Sequence, residues 1–286
     1  AVAFRNVSFP HVLRKPIGGI SPMNDNNPSA SDSRFPIIQP ISMGVISDWL
    51  CAGWRDLKSG GWASLFYGLC FAFAGLLMSI VFAKAYALFA GLTTGFLLVG
   101  PFLALGLYDL SRQNERGLSP KLASSLAAWR PNLPNIGLFA AVLAVVLLIW
   151  ARASIVVFAL FFTGGLPTFV DVVRTVLTFE QPEFAAVYFA IGGFFALFVF
   201  AISVVAVPLM LDRQTDAVTA AIASLVACGR NPLPMLAWAT IIVLLVGIGF
   251  ATLFVGLVIT MPLIGHATWH AYRSLIADEK QSTNQR

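Results

Sequence analysis

Charge is what this chain has least of. Only 11% of its 286 residues are Asp, Glu, Lys or Arg, against roughly 25% in an ordinary soluble domain. Too few ionisable side chains are available to coat a water-facing surface, which excludes a soluble globular protein. Cysteine is equally sparse. Cys51, Cys70 and Cys228 are scattered, without metal-ligand or redox spacing, and Cys70 inside an apolar run reads as a small hydrophobe. No phosphate loop, zinc motif, nucleophile elbow or kinase signature occurs. Catalysis has no positive support, so the chain reads as a non-enzyme with no cofactor or metal implied. The first 30 residues hold no apolar run of signal-peptide length.

Apolar residues fill the space that charge leaves. They make up 58% of the chain, with 24 Phe and a mean hydropathy of +0.83, the composition of an integral membrane protein. They are also patterned. Three times, a short amphipathic stretch ends in a basic residue, at Trp54-Arg55, Trp129-Arg130 and Gly229-Arg230. A Pro- or Gly-bearing turn follows (59–61, 131–134, 231–234), and then a long apolar block that meets a proline, at Pro101, Pro208 and Pro262. A polar residue stands eight positions after each proline: Asp109, Asp216 and His270. Such periodicity predicts one helical unit multiplied within a membrane.

The expected fold is an all-α, polytopic membrane bundle with about six transmembrane helices, in three units of amphipathic helix plus hairpin. Residues 1–43, rich in Pro, Asn and Ser, read as an extended N-terminal arm pinned by a partner. Residues 44–275 read as the transmembrane domain and 276–286 as a polar tail. Trp62 to Phe82 is a clear span of about 20 apolar residues, and a second runs from Tyr86 to about Tyr108. Ile136 to Phe162 is a third, and Phe184 to Leu211 a fourth. Gly164 to Pro167 breaks the chain before an interfacial stretch, Thr168 to Phe179, that carries Asp171 and Arg174. The last block is open to two readings: one tilted helix, or a hairpin turning at Gly247-Ile248-Gly249. With six spans and a cytoplasmic N-terminus, fifteen Lys and Arg face the cytoplasm and only Lys84, Arg152 and Arg174 do not. Five spans weaken that ratio to twelve against six, so the positive-inside rule favours six. Charge placed in this way argues for a membrane surface rather than for nucleic acid, despite the net charge of +5.

The candidate polar cluster is Asp109, Arg112, Asp212, Arg213, Asp216, His266, His270 and Arg273. All fall at the cytoplasmic ends of the second, fourth and sixth helices, where a pseudo-three-fold arrangement makes them converge. Two readings stand: a vestibule for an anion, a proton or a lipid headgroup, or ion pairs that stitch the bundle in the headgroup zone. His266 and His270 share one helix face. A metal site needs further ligands, and no carboxylate lies near them in sequence, so a structural or headgroup-contacting role is the expectation. Arg152 is expected to snorkel to the outer interface.

The segments Gly95–Arg112, Val207–Arg213 with Asp216, and Gly265-His-Ala-Thr-Trp-His-Ala-Tyr-Arg273 resemble those of a bacterial integral membrane family, domain of unknown function 2189. The resemblance covers roughly 45–275. It implies a bacterial inner-membrane protein of about six helices and brings no substrate or reaction. Two functions follow as expectations. One is a non-catalytic accessory subunit of a larger membrane complex, respiratory or photosynthetic, docking through the 1–43 arm and the Phe/Gly-rich helix faces such as Gly192-Gly193 with Phe194, Phe195 and Phe198. The other is a small transporter or channel with a polar cytoplasmic vestibule. Membrane lipids are partners in either case.

Overall fold

A computed structural model describes residues 35–84, 103–162 and 181–277. The expectations for residues 1–34, Pro101 and most of the second span, the Gly164–Pro167 break, Asp171 and Arg174, and most of the polar tail lie outside these residues. Nearly all of the described residues are helical. The elements are α1 (Val45–Gly60), α2 (Trp62–Lys84), α3 (103–115), the single turn α4 (Leu122–Ser125), α5 (Leu133–Phe161), α6 (Pro182–Ser203), α7 (Ala206–Arg213), α8 (Ala217–Arg230), α9 (Pro232–Ala251) and α10 (Leu257–Leu275). Among the described residues, four stretches are long and apolar enough to cross a membrane: Trp62–Ile80, Leu122–Phe161, Pro182–Arg213 and Pro232–Ala251.

The last block folds as two helices, and its turn lies at 252–256 rather than at Gly247–Gly249. Glycine alone does not end a helix whose neighbours are Leu, Val, Ile and Phe, so α9 runs through both glycines to Ala251. The turn beyond it is built by Thr252. Its hydroxyl donates to the Ile248 carbonyl at 3.0 Å and accepts from the Gly256 N–H at 2.9 Å, while Leu253 and Phe254 take positive φ.

Proline has two different outcomes. Pro208 lacks an N–H for the Val204 carbonyl, and the helix breaks at Val204–Val205 into α6 and α7. Ser224 of α8 repairs the break, accepting from the Val205 N–H at 3.1 Å and donating to the Ala201 carbonyl at 2.7 Å. Pro262 instead stays inside α10. The Val258 carbonyl that it leaves without an N–H sits against Gly68 of α2, so closely that a Cβ there would collide with it. Only a Cα–H can face a carbonyl at that range.

α10 therefore lies between α1 and α2, with α3 against its remaining side. Gly53 permits the α1 contact, because a Cβ there would stand 2.7 Å from the Ala267 nitrogen. Trp49, Trp238, Trp269 and Tyr272 are fully buried around this helix. Trp49 and Trp238 meet edge to face at 5.7 Å, and Trp49 Nε1 donates to Ser274 at 3.0 Å. Such an aromatic pair contributes about 1 kcal/mol beyond its buried area.

Residues 36–41, from the segment expected as an extended arm pinned by a partner, form a strap on the same end. Ile38 bridges Ile276, with Gln39 N–H to the Leu275 carbonyl at 2.8 Å and Ala277 N–H to the Ile37 carbonyl at 3.0 Å. Buried Asn231 accepts from the Ile41 N–H at 2.8 Å and donates to the Gln39 carbonyl at 3.1 Å. The chain's own turn therefore holds these residues.

Replacing Gly68 by Val should lower the thermal midpoint in detergent, by the equivalent of about 1–3 kcal/mol for an overpacked site. Gly137→Ala is the control, since nothing lies within 4 Å of a Cβ on α5 there. Equal midpoints for the two variants would refute the backbone contact between α2 and α10.

Candidate functional site

The seating of α10 places its two histidines against three other helices. His266 is fully buried. Its Nε2 pairs with Ser64 Oγ, at the start of α2, at 2.9 Å, and its Nδ1 pairs with Ser111 Oγ of α3 at 2.7 Å. Ser64 and Ser111 are themselves fully buried. One turn further, His270 Nε2 meets Asp56 Oδ2 of α1 at 2.8 Å. Asn114 Nδ2 donates to Asp56 Oδ1 at 2.5 Å, and Ser59 donates to Asn114 Oδ1 at 3.1 Å. Ser111 also helps to stabilise the Asp56 carboxylate. The two histidines are thereby joined through one chain of polar groups: Ser64, His266, Ser111, Asp56, His270.

Asp56 and His270 open onto a surface cleft of about 280 Å³ lined also by Arg55, Asn114 and Glu115. Burial alone raises the Asp56 carboxyl pKa. The hydrogen bonds from His270, Ser111 and Asn114 outweigh it and hold Asp56 below the ordinary aspartate value. Chemically, the chain fixes the two imidazoles against hydrogen-bonding partners on α1, α2 and α3. From the cleft it runs inward to Ser64, the last of its members.

A second group lies beside the first. Glu115 of α3 accepts from Trp269 Nε1 at 3.0 Å and from Arg273 Nε at 2.9 Å. Tyr272 donates to Asp212 of α7 at 2.8 Å, and Arg273 Nη1 lies 3.7 Å from the same carboxylate. A third group belongs to α3 itself. Asp109 takes Arg112 Nη2 at 2.5 Å and Gln113 Nε2 at 2.6 Å, while Arg112 Nη1 donates to the Leu211 carbonyl at 2.9 Å.

The eight candidates thus gather at one end of the helices but divide by partner. His266 and His270 join Asp56. Arg273 and Asp212 join Glu115. Asp109 and Arg112 pair with each other, and Arg213 Nη2 donates to the Ala277 carbonyl at 2.7 Å. Asp216 stands apart as the N-cap of α8, accepting from the Val218 and Thr219 N–H groups at 3.1 and 2.9 Å. Those bonds, chiefly from Thr219, lower its pKa.

Asp56, Ser64, Ser111, Asn114 and Glu115 were absent from the sequence reading. Asp56 had one legible signal: it shares the apolar face of α1 with Trp49, Gly53, Leu57 and Gly60, an odd place for a carboxylate. It is also the acid that sequence proximity to the histidines did not supply. Among the described residues no three ligating side chains cluster for a metal, and the three cysteines are free thiols.

The stretch from 88 to 212 is similar to one known family. It matches the family described as predicted integral membrane protein (DUF2189). The matched stretch holds Asp109, Ser111, Arg112, Glu115 and Asp212. It stops before α10, so the histidine side of the cluster, including the 265–273 segment on which the resemblance leaned, rests on the geometry of this chain. No curated protein and no solved structure matches the chain. With four long apolar helices and this match, the protein is an integral, multi-pass membrane protein.

Asp56 has a depressed folded-state pKa. Its contribution to stability is therefore complete above the unfolded value near 3.8 and is lost as pH falls through the lower folded value. Asp56→Asn should cost about 1.5–3 kcal/mol at neutral pH, the range for a hydrogen bond to a charged group. It should also flatten the acid limb of stability measured by tryptophan fluorescence between about pH 5 and 2. An unchanged acid limb would show that Asp56 is not the paired carboxylate described.

Proposed function

We propose that this protein is a non-catalytic accessory subunit of the bacterial inner membrane, docking its exposed helix faces onto other membrane-protein helices. The observation that carries this reading is the open face of α6. A Cβ at Gly193 would meet nothing within 4 Å, and one at Gly192 only Trp150 Nε1 at 3.8 Å. Phe189, Phe194, Leu197 and Phe198 are exposed beside them. Glycines let helices approach closely, yet among the described residues no helix backbone comes close to these two.

The polar inventory supports the same reading over a transporter. Each of the eight candidate side chains is engaged within the chain, at one end of the helices. Away from the first and last turns of the long apolar helices α2, α5, α6 and α9, among the described residues, Arg152 is the lone charged side chain. A transport site belongs near the midplane, and these spans offer little there.

Six helices in three units remain our reading of the architecture. The element order supports it: α1, the α4 turn and α8 each precede a long apolar helix, α2, α5 and α9. The prolines at 208 and 262 fall in helices that return to the cluster end. Among the Lys and Arg whose side chains are described, nine lie at that end (Arg55, Lys58, Arg112, Arg116, Lys121, Arg130, Arg213, Arg230, Arg273) and Arg152 does not. Such asymmetry marks a cytoplasmic face. A respiratory or photosynthetic complex, rich in membrane helices, is the partner class we favour.

Purification from native membranes in gentle detergent should yield a stoichiometric set of integral membrane proteins. A photocrosslinker at position 194 should form an adduct with one of them. Gly193→Leu should weaken the association about tenfold or more while leaving the thermal midpoint unchanged. A homogeneous chain whose crosslinks are to lipid alone would sink the accessory reading.

A further inference from the structure

We infer that the cavity between the end of α3 and the connection to α5 binds a phosphate-bearing anion, and that its surroundings favour the headgroup of an anionic phospholipid. The cavity measures about 520 Å³, within the range that takes a small ligand. Arg112, Arg116 and Lys121 line it. The one carboxylate present, Asp109, has both oxygens engaged, by Arg112 and by Gln113. Three cations against one occupied carboxylate leave an excess of positive charge.

Two of those cations are uncommitted. Arg112 is tied to Asp109 and to the Leu211 carbonyl, but the exposed side chains of Arg116 and Lys121 have no hydrogen-bond or ion-pair partner among the described residues. The Ser119 hydroxyl lies in the same lining as a further donor. The backbone is shaped to hold this arrangement open. Gly117 turns the chain at φ +71°, and Gln113 Oε1 accepts from the Lys121 N–H at 2.8 Å, closing the loop from 113 to 121.

The lining is amphipathic, which is what separates a lipid from a free ion. Leu118, 57% exposed, and Ala127 and Ala128 stand beside the cations. Leu126 is also exposed nearby in sequence, and Trp129 carries Arg130 over its ring at 5.8 Å. A free phosphate gains nothing from these apolar groups. A phospholipid places its phosphate on the cations and its glycerol and first methylenes on the leucines. Basic pockets at the cytoplasmic ends of transmembrane helices suit anionic headgroups for this reason. The inference does not depend on the accessory reading, since it requires only that the cation-rich end meets the headgroup zone.

The test is calorimetric titration of the full chain in maltoside detergent with three probes: dioctanoyl phosphatidylglycerol, dioctanoyl phosphatidylcholine and inorganic phosphate. Phosphatidylglycerol should bind, and R116Q/K121Q should weaken it about thirtyfold, from about a fivefold loss per cation removed near the surface. Ser119→Glu, which adds a competing carboxylate on an exposed loop, should also weaken it. Both variants touch side chains without structural partners, so thermal midpoints should stay unchanged. If inorganic phosphate binds as tightly as phosphatidylglycerol and shows the same dependence on Arg116 and Lys121, the site stands with a free anion as its ligand. Equal binding of phosphatidylcholine, or no difference between the wild-type chain and R116Q/K121Q for either anionic probe, would overturn the proposal.

Discussion

The close seating of α10 between α1 and α2, with α3 against it, is the constraint on which the other described features depend. Two glycines make it possible. At Gly53 the α10 backbone passes where a side chain would begin, and at Gly68 a carbonyl freed by Pro262 takes that place. In a membrane the hydrophobic effect does not drive helices together, so close backbone contact supplies what water would otherwise enforce. Move α10 outward by the width of a methyl group and the His266 pairs with Ser64 and Ser111 open together. The polar chain is therefore a consequence of packing as much as a cause of it.

Around that contact, the turns after the amphipathic segments share one device. Ser59 reaches Asn114 at the end of α3. Asn132 donates to the Met210 and Thr215 carbonyls at the end of α7, both at 3.0 Å. Asn231 holds the strap at 39–41, which pairs with the end of α10. Each turn so ties a polar side chain to the end of a returning helix, directly or through the strap. The amides of Asn132 and Asn231 are buried, where a paired carbonyl or N–H is worth far more than an unpaired one. These ties gather polar groups at one end of the described helices.

That gathering gives the molecule two unlike surfaces. One end carries a hydrogen-bonded chain of His, Ser and Asp side chains, ion pairs shared by α3, α7 and α10, and a cationic cavity. The flanks carry exposed phenylalanine, leucine and valine. The ion pairs are partly open to solvent, where such pairs contribute little individually; their effect is to fix which helix ends meet. The flanks are where another helix, or lipid, must sit.

How much of this was legible before folding depends on the range of the interaction. Composition alone determined a membrane protein, because too few charges exist to solvate its surface. The long apolar runs placed α2, α5 and α6 and the start of α9, since span length is set by bilayer thickness and helical rise. The clustering of Lys and Arg, and the position of the eight candidate residues near helix ends, were also readable locally. Partner choice was not. Asp56 and His270 are separated by 214 positions, and no spacing rule relates them. The turn at 252–256 was misplaced because glycine was taken as a breaker where its apolar neighbours kept the helix intact. Only the tertiary structure decided that Asp216 caps a helix while Asp56 completes the histidine chain. Periodicity records the side of a helix on which a residue lies, but the close approach of backbones at Gly53 and Gly68 determines what that side touches.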